Sequence, residues 1–230
     1  MTVEAANASW LTLVASSAVV SALVNVGWNV CSKLLDRKRE DEKDRKRVGH
    51  VYLDIALQLE SFAKRSDAYL YDISNALWHR AAHHDEFYIK KLKSVSLSFE
   101  PEPNWTELPI PFVARLKALP GQSASTERWI RDQWDTWADI EDVYHLEEQC
   151  VAYYGIKVLD VADDIRREIN AGIGDSGTLR EHFTSEIETR RKRFAEDRTA
   201  ITLIPELEAM FKSEYPETSK SSMAADEDVM

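Results

Sequence analysis

Glycine and proline are scarce, at seven residues each in a chain of 230, and they cluster. Positions 51–100 hold neither, four prolines fall within 101–111, and three glycines fall within 172–177. Long intervals without these breakers favour helices. Cysteine is scarcer still. Cys31 ends an apolar run and Cys150 lies far away in a predicted helix, so two free thiols in a reducing compartment are expected rather than a disulfide framework. No lipobox-like pattern of small residues precedes Cys31.

Charge is missing from one end. Residues 1–32 carry a single charged side chain, Glu4, and residues 9–30, SWLTLVASSAVVSALVNVGWNV, carry none. A bilayer-spanning helix needs about 20 apolar residues. A cleavable signal has its basic residues before the apolar core, whereas here they follow it. Trp10 and Trp28 stand about 27 Å apart on a helix, close to the hydrocarbon thickness, where indoles settle at the two headgroup interfaces. Residues 33–47 then hold eight Lys/Arg and five Asp/Glu, among them Arg37, Lys38 and Arg39. A basic excess on this side predicts an N-out span with the following domain in the cytoplasm.

The predicted span is not uniformly apolar. Ser17, Ser21 and Asn25 repeat every four residues and share one helix face with small neighbours at Ala18 and Ala22. Polar and small side chains in lipid favour close helix contact and interhelical hydrogen bonds, so self-association through this stripe is expected.

Beyond the charged stretch, steps of three and four run through Val48, Val51, Ile55, Leu59, Phe62, Leu70, Ile73 and Leu77, with one missed beat at Ser66, a stripe wide enough for burial within a bundle. Near residue 94 the pattern becomes SVSLSF, read as an extended loop, followed by the Pro-rich connection at 100–112, which Trp105 pins to the core. Pro111 is expected to open a short helix that Pro120–Gly121 closes, with Ser123 or Ser125 capping the next. One stripe then runs Ile140, Val143, Leu146, Cys150, Tyr154, Val158, Val161, Ile165, Ile169, and AGIGDSG ends it. Thr178 with Glu181 resembles a capping box for a helix carrying Phe183, Ile187, Phe194 and Ile201, and Pro205 breaks that helix or starts a final one. The predicted organisation is an all-α chain: a transmembrane anchor at 1–32, a charged helical stalk at 33–47, an antiparallel helical bundle at 48–214 and an acidic disordered tail at 215–230.

Catalytic signatures are also missing. HExxH, GxSxG and GxxxxGK[ST] do not occur. His79, His83 and His84 form the one histidine cluster; the first two are four residues apart on one face, a competent metal pair needing further ligands such as His145 or His182. A solvated polar helix end explains the cluster more simply, and no metal or cofactor is expected. Asp139, Glu141, Asp142, Glu147 and Glu148 read as a solvated face, and RRKR at 190–193 as surface pairing with flanking acids. Trp129, Trp134 and Trp137 cannot all point inward and offer a partner surface.

Residues 48–230 hold 21 basic and 34 acidic side chains, so no nucleic-acid partner is expected. The reading is a helical interaction protein of an inner membrane: a scaffold, sensor or adaptor that self-associates and meets membrane lipid and a protein partner. The alternatives are a tethered metal-dependent hydrolase using His79, His83 and His84, and a minimal oligomeric pore.

Overall fold

In the computed structural model, residues 4–136, 138–172, 174 and 176–216 are described, with side chains from residue 33 onward except at 34–36 and 41. Five helices follow in order: α1 (Glu4–His83), α2 (Ile110–Trp134), α3 (Ile140–Glu168), α4 (Gly177–Glu196) and α5 (Pro205–Glu214). Two 3-10 turns, Ile89–Lys91 and Trp105–Glu107, lie between α1 and α2, and no strand occurs among the described residues. The chain divides into two compact units at residues 1–50 and 51–230.

In the first unit, Arg37, Lys38 and Arg39 are exposed, and Glu42 pairs with Lys46 at 3.0 Å. Among the described residues no helix is long and apolar enough to cross a membrane. The side chains of Trp10, Ser17, Ser21, Asn25 and Trp28, on which the predicted span rests, lie outside the described part.

The second unit is a helical bundle organised around α3, which packs against both α2 and α4. The reason is in its stripe: Leu146, Cys150, Tyr154, Val158, Val161 and Ile165 are all buried. α1 contributes Ile55, Leu59, Phe62, Leu70 and Ile73, and the missed beat at Ser66 is buried with them. SVSLSF is extended and unpaired, and Trp105 is half-buried, edge-on to Phe99 at 5.3 Å with Lys117 over its ring.

Several element boundaries differ from expectation. α2 starts at Ile110, inside the predicted connection, and runs through Pro120 instead of stopping there. Leu116 and Leu119 before the proline and Ser123 and Thr126 after it are all buried, and burial of that continuous face outweighs the roughly 3 kcal/mol a helix-interior proline costs. Ser123 and Ser125 are therefore interior residues, not caps. The helix expected to run unbroken to Ile169 is two helices, because Asp139 starts α3 afresh. Its extended backbone lets Oδ1 accept from the Glu141 N–H at 2.7 Å and the Asp142 N–H at 3.0 Å, while Asp142 Oδ2 accepts from the Asp139 N–H. These bonds hold the Asp139 carboxyl below its ordinary range. Asp139→Ala is expected to cost about 1 kcal/mol, read as a lower urea midpoint. The difference from wild type should shrink as pH falls through the depressed carboxyl value, since only the ionised form gains from the cap.

α3 ends with Asn170 at φ 53° and Gly172 at φ 78°, so asparagine as well as glycine takes the left-handed turn. α4 begins at Gly177, which places Thr178 inside the helix rather than at its cap. It stops at Glu196, where Asp197 accepts from the Thr199 N–H and hydroxyl. Ile201 thus lies in an extended segment, not on α4. Gln149 pins that segment to α3, donating to the Thr202 carbonyl at 2.9 Å and accepting from the Ile204 N–H at 3.0 Å. Pro205 opens α5.

Candidate functional site: a carboxylate-lined cavity in the bundle

Two acidic residues of α3 that the sequence assigns to a solvated face are turned inward, Glu148 buried and Glu147 half-buried. Glu148 is 7% exposed. Its Oε2 accepts from Arg190 Nη2 of α4 at 2.8 Å and meets His145 Nδ1 at 3.0 Å, and its Oε1 accepts from Ser74 of α1 at 3.3 Å. Arg190, 9% exposed, also donates to the Glu186 carbonyl at 2.9 Å and to its carboxylate. Hydrogen bonding to Glu148 raises His145 above its ordinary value. The first arginine of RRKR is therefore an internal tie, not surface pairing. The signal was present: 190 falls on the beat between Ile187 and Phe194 in the buried stripe of α4. A second tie of the same kind joins Glu60 of α1 to Arg166 of α3 through both carboxylate oxygens, and Gly174 lies so close that a Cβ there would meet Glu60 Oε1 at 2.7 Å.

The other residue, Glu147, faces a cavity of about 170 Å³ between α1, α2 and α3. α2 contributes Ser123, Glu127, Ile130, Arg131 and Trp134, and α3 contributes Val143, Glu147, Cys150, Val151 and Tyr154. Both sets follow the same spacing of i, i+4, i+7, i+8 and i+11, one face of a helix in each case. Phe62 and Tyr69 of α1 close one wall, and Ser94 and Val95 of the extended segment another. Exposed Ser94, Arg131 and Trp134 form the rim, with Trp134 48% exposed.

The walls mix aromatic Phe62, Tyr69, Trp134 and Tyr154 with aliphatic Val95, Ile130, Val143 and Val151, and two of the polar groups are carboxylates. Tyr69 donates its hydroxyl to Glu147, and Ser123 donates to Glu127 at 3.1 Å. Neither carboxylate has an ion-pair partner among the described residues. Burial, assisted by the charge of Glu127 and opposed by the Tyr69 hydrogen bond, lifts the Glu147 carboxyl above its ordinary range. Burial first, then Glu127, Glu206 and Glu147, pushes the Cys150 thiol up, so it is no nucleophile. Beside the cavity, Tyr154 shares Glu206 of α5 with Thr126 of α2. A second hollow, about 380 Å³, is lined by Asp142, Glu148 and Glu186 together with Arg190, which pairs with the two glutamates, and Arg193.

The histidines are otherwise arranged. His79 stacks on Tyr88 with ring centroids 4.0 Å apart, and His83 lies 5.7 Å from His79. His84 is exposed and ends α1 with φ 53°. His145 is engaged with Glu148 and His182 with Asp67. Among the described residues no group of three or more His, Cys, Asp or Glu side chains is placed to hold a metal ion. Of the tryptophans offered as a partner surface, Trp129 is half-buried, Trp134 is on the cavity rim, and Trp137 lies outside the described residues.

Fold and site together define the class as an all-α bundle with an internal, solvent-reachable cavity. Comparison with protein-family models, curated proteins and solved structures finds no match.

Proposed function

We propose that the chain is a membrane-anchored sensor: a helical unit, residues 51–216, held on the cytoplasmic side by a single N-out span and binding a small ligand between α1, α2 and α3. The observation that carries the reading is the cavity. Well-packed cores keep few voids, and buried carboxylates are normally paired. Here a cavity walled by aromatic and aliphatic side chains holds two half-buried carboxylates with no ion-pair partner among the described residues, Arg131 standing exposed at the rim. Anchoring is supported by the uncharged run at 9–30 and the basic excess at 33–47. Self-association is supported by the Ser17, Ser21 and Asn25 spacing, which would bring copies together in the membrane.

The full chain is expected to stay with membranes through an alkaline carbonate wash and to be released when residues 1–32 are deleted. In a thermal-shift screen of single-ring aromatic compounds, at least one should raise the melting temperature of the wild type. Val151→Phe, which puts a ring into the void, should abolish that shift. A folded Val151→Phe protein with an undiminished shift would place binding elsewhere.

A further inference from the structure

The geometry points to a small organic cation, an ammonium group carried on a single aromatic ring, as the ligand of this cavity. The inference rests on the sensor reading and adds the chemical class.

Size comes first. An apolar cavity of about 150 Å³ accepts a molecule the size of benzene, so about 170 Å³ admits one ring with a short substituent and little more. Sign comes next. Glu127 of α2 and Glu147 of α3 both line the void, and among the described residues Arg131 is the one cationic side chain that does, sitting exposed at the rim. The remaining hydroxyls do not offset the carboxylates with charge: Tyr69 and Ser123 already donate to them. The Cys150 thiol, 4% exposed, has no hydrogen-bond partner among the described residues and presents a soft, uncharged surface to the occupant. An anionic ligand would be repelled. A neutral one would leave the two carboxylates uncompensated. An ammonium placed between them is attracted by both, in a cavity that Phe62, Tyr69 and Tyr154 help to line, and such attraction gains strength where water is excluded. Trp134, half exposed at the rim, lies where the ring of an incoming ligand would first make contact.

The test uses the purified full chain in nonionic detergent and three probes of one shape: 2-phenylethylamine, 2-phenylethanol and 3-phenylpropanoate. Calorimetric titration is expected to rank the amine about tenfold or more above the alcohol, with no binding of the carboxylate. Glu147→Gln and, separately, Glu127→Gln should each reduce the ratio of amine to alcohol affinity, with the fold of each variant checked by its far-UV circular dichroism and cooperative melting. If Glu147→Gln does not fold, Glu127→Gln carries the same comparison. Equal binding of amine and alcohol to the wild type would overturn the cation inference and leave the cavity reading standing. So would a preference for the carboxylate, or an amine preference that survives both substitutions. Binding of none of the three would overturn the inference, and failure of the whole aromatic screen would overturn the sensor reading with it.

Discussion

Arg190→Met is expected to destabilise the bundle by about 3–5 kcal/mol. The substitution keeps most of the side-chain volume and removes the guanidinium that holds Glu148 at 2.8 Å and the Glu186 carbonyl at 2.9 Å. Glu148, 7% exposed, is left as a buried carboxylate with only the Ser74 hydroxyl and the half-exposed His145 against it. Breaking one side of such a pair costs more than the pair was worth, because the surviving charge stays in a poor solvent. Urea unfolding followed by tryptophan fluorescence measures the loss. Adding Glu148→Gln to Arg190→Met should recover a large share of it; a double variant as unstable as the sum of the two singles would mean the residues act independently. The pair also gives the stability a pH dependence. His145 titrates above its ordinary 6.5 in the folded chain because the Glu148 hydrogen bond favours its charged form. Its contribution is therefore complete below about 6.5 and disappears as pH rises through the raised value. Without Arg190, the protonated imidazole is the remaining cation beside Glu148, so Arg190→Met should lose less stability in mildly acidic solution than in alkaline solution.

Gly155→Ala is the second change with a large expected effect, and its direction runs against helix propensity. Alanine is the better helix former by about 1 kcal/mol, and Gly155 is within α3. Its missing side chain is what lets Phe183 of α4 come in. A Cβ at 155 would stand 2.6 Å from Phe183 Cε2 and 2.8 Å from Cδ2 and Cζ. The ring is fully buried, so it has no open side to turn toward. Overpacking of this kind costs about 1–3 kcal/mol, which the propensity gain of about 1 kcal/mol offsets in part, and the remainder corresponds to a fall of up to several degrees in melting temperature for a unit of this size. Phe183→Leu should rescue Gly155→Ala, making the double variant more stable than the two separate losses predict. If Gly155→Ala instead raises the melting temperature, α3 and α4 are not held at the separation seen here.

How far the letters reach is clearest on α3 and α4. The apolar beats of α3 from Leu146 to Ile165 are readable because burial repeats at helical spacing, and the structure buries each of them. The same rule extends to α1 from Ile55 to Ile73. It fails where a polar residue occupies a buried beat. Ser66 and Arg190 keep the beat of their stripes but carry polar side chains that argue for solvent, and Glu148 has no such mark; whether a carboxylate is surface or core depends on whether a guanidinium arrives from another helix. The same limit applies to helix ends. Pro120 and Gly121 look like a stop, and Thr178 with Glu181 like a start, because turn chemistry is local. The structure overrides both, since the buried face of α2 is continuous across the proline and the first turn of α4 is set at Ser176–Gly177.

Within the candidate site, Trp134 is the residue that was singled out from sequence, and it sits on the rim. Glu127 and Glu147 were not distinguishable from ordinary acidic helix residues. They lie 20 positions apart on different helices, and their convergence requires the break at 135–139 that folds α3 back on α2.

The sequence by itself determined that the chain is helical, where the buried faces of α1 and α3 run, and that an uncharged stretch of 22 residues precedes a strongly charged one. Each of these follows from composition and periodicity, which are properties of neighbouring residues. Only the tertiary structure decided that Arg190 and Glu148 meet, that α2 passes through its proline, and that two carboxylates with no ion-pair partner among the described residues share a cavity. Those outcomes depend on which groups from distant segments meet once water is excluded, and the free energy of a buried charge is set by that meeting rather than by the residue that carries it.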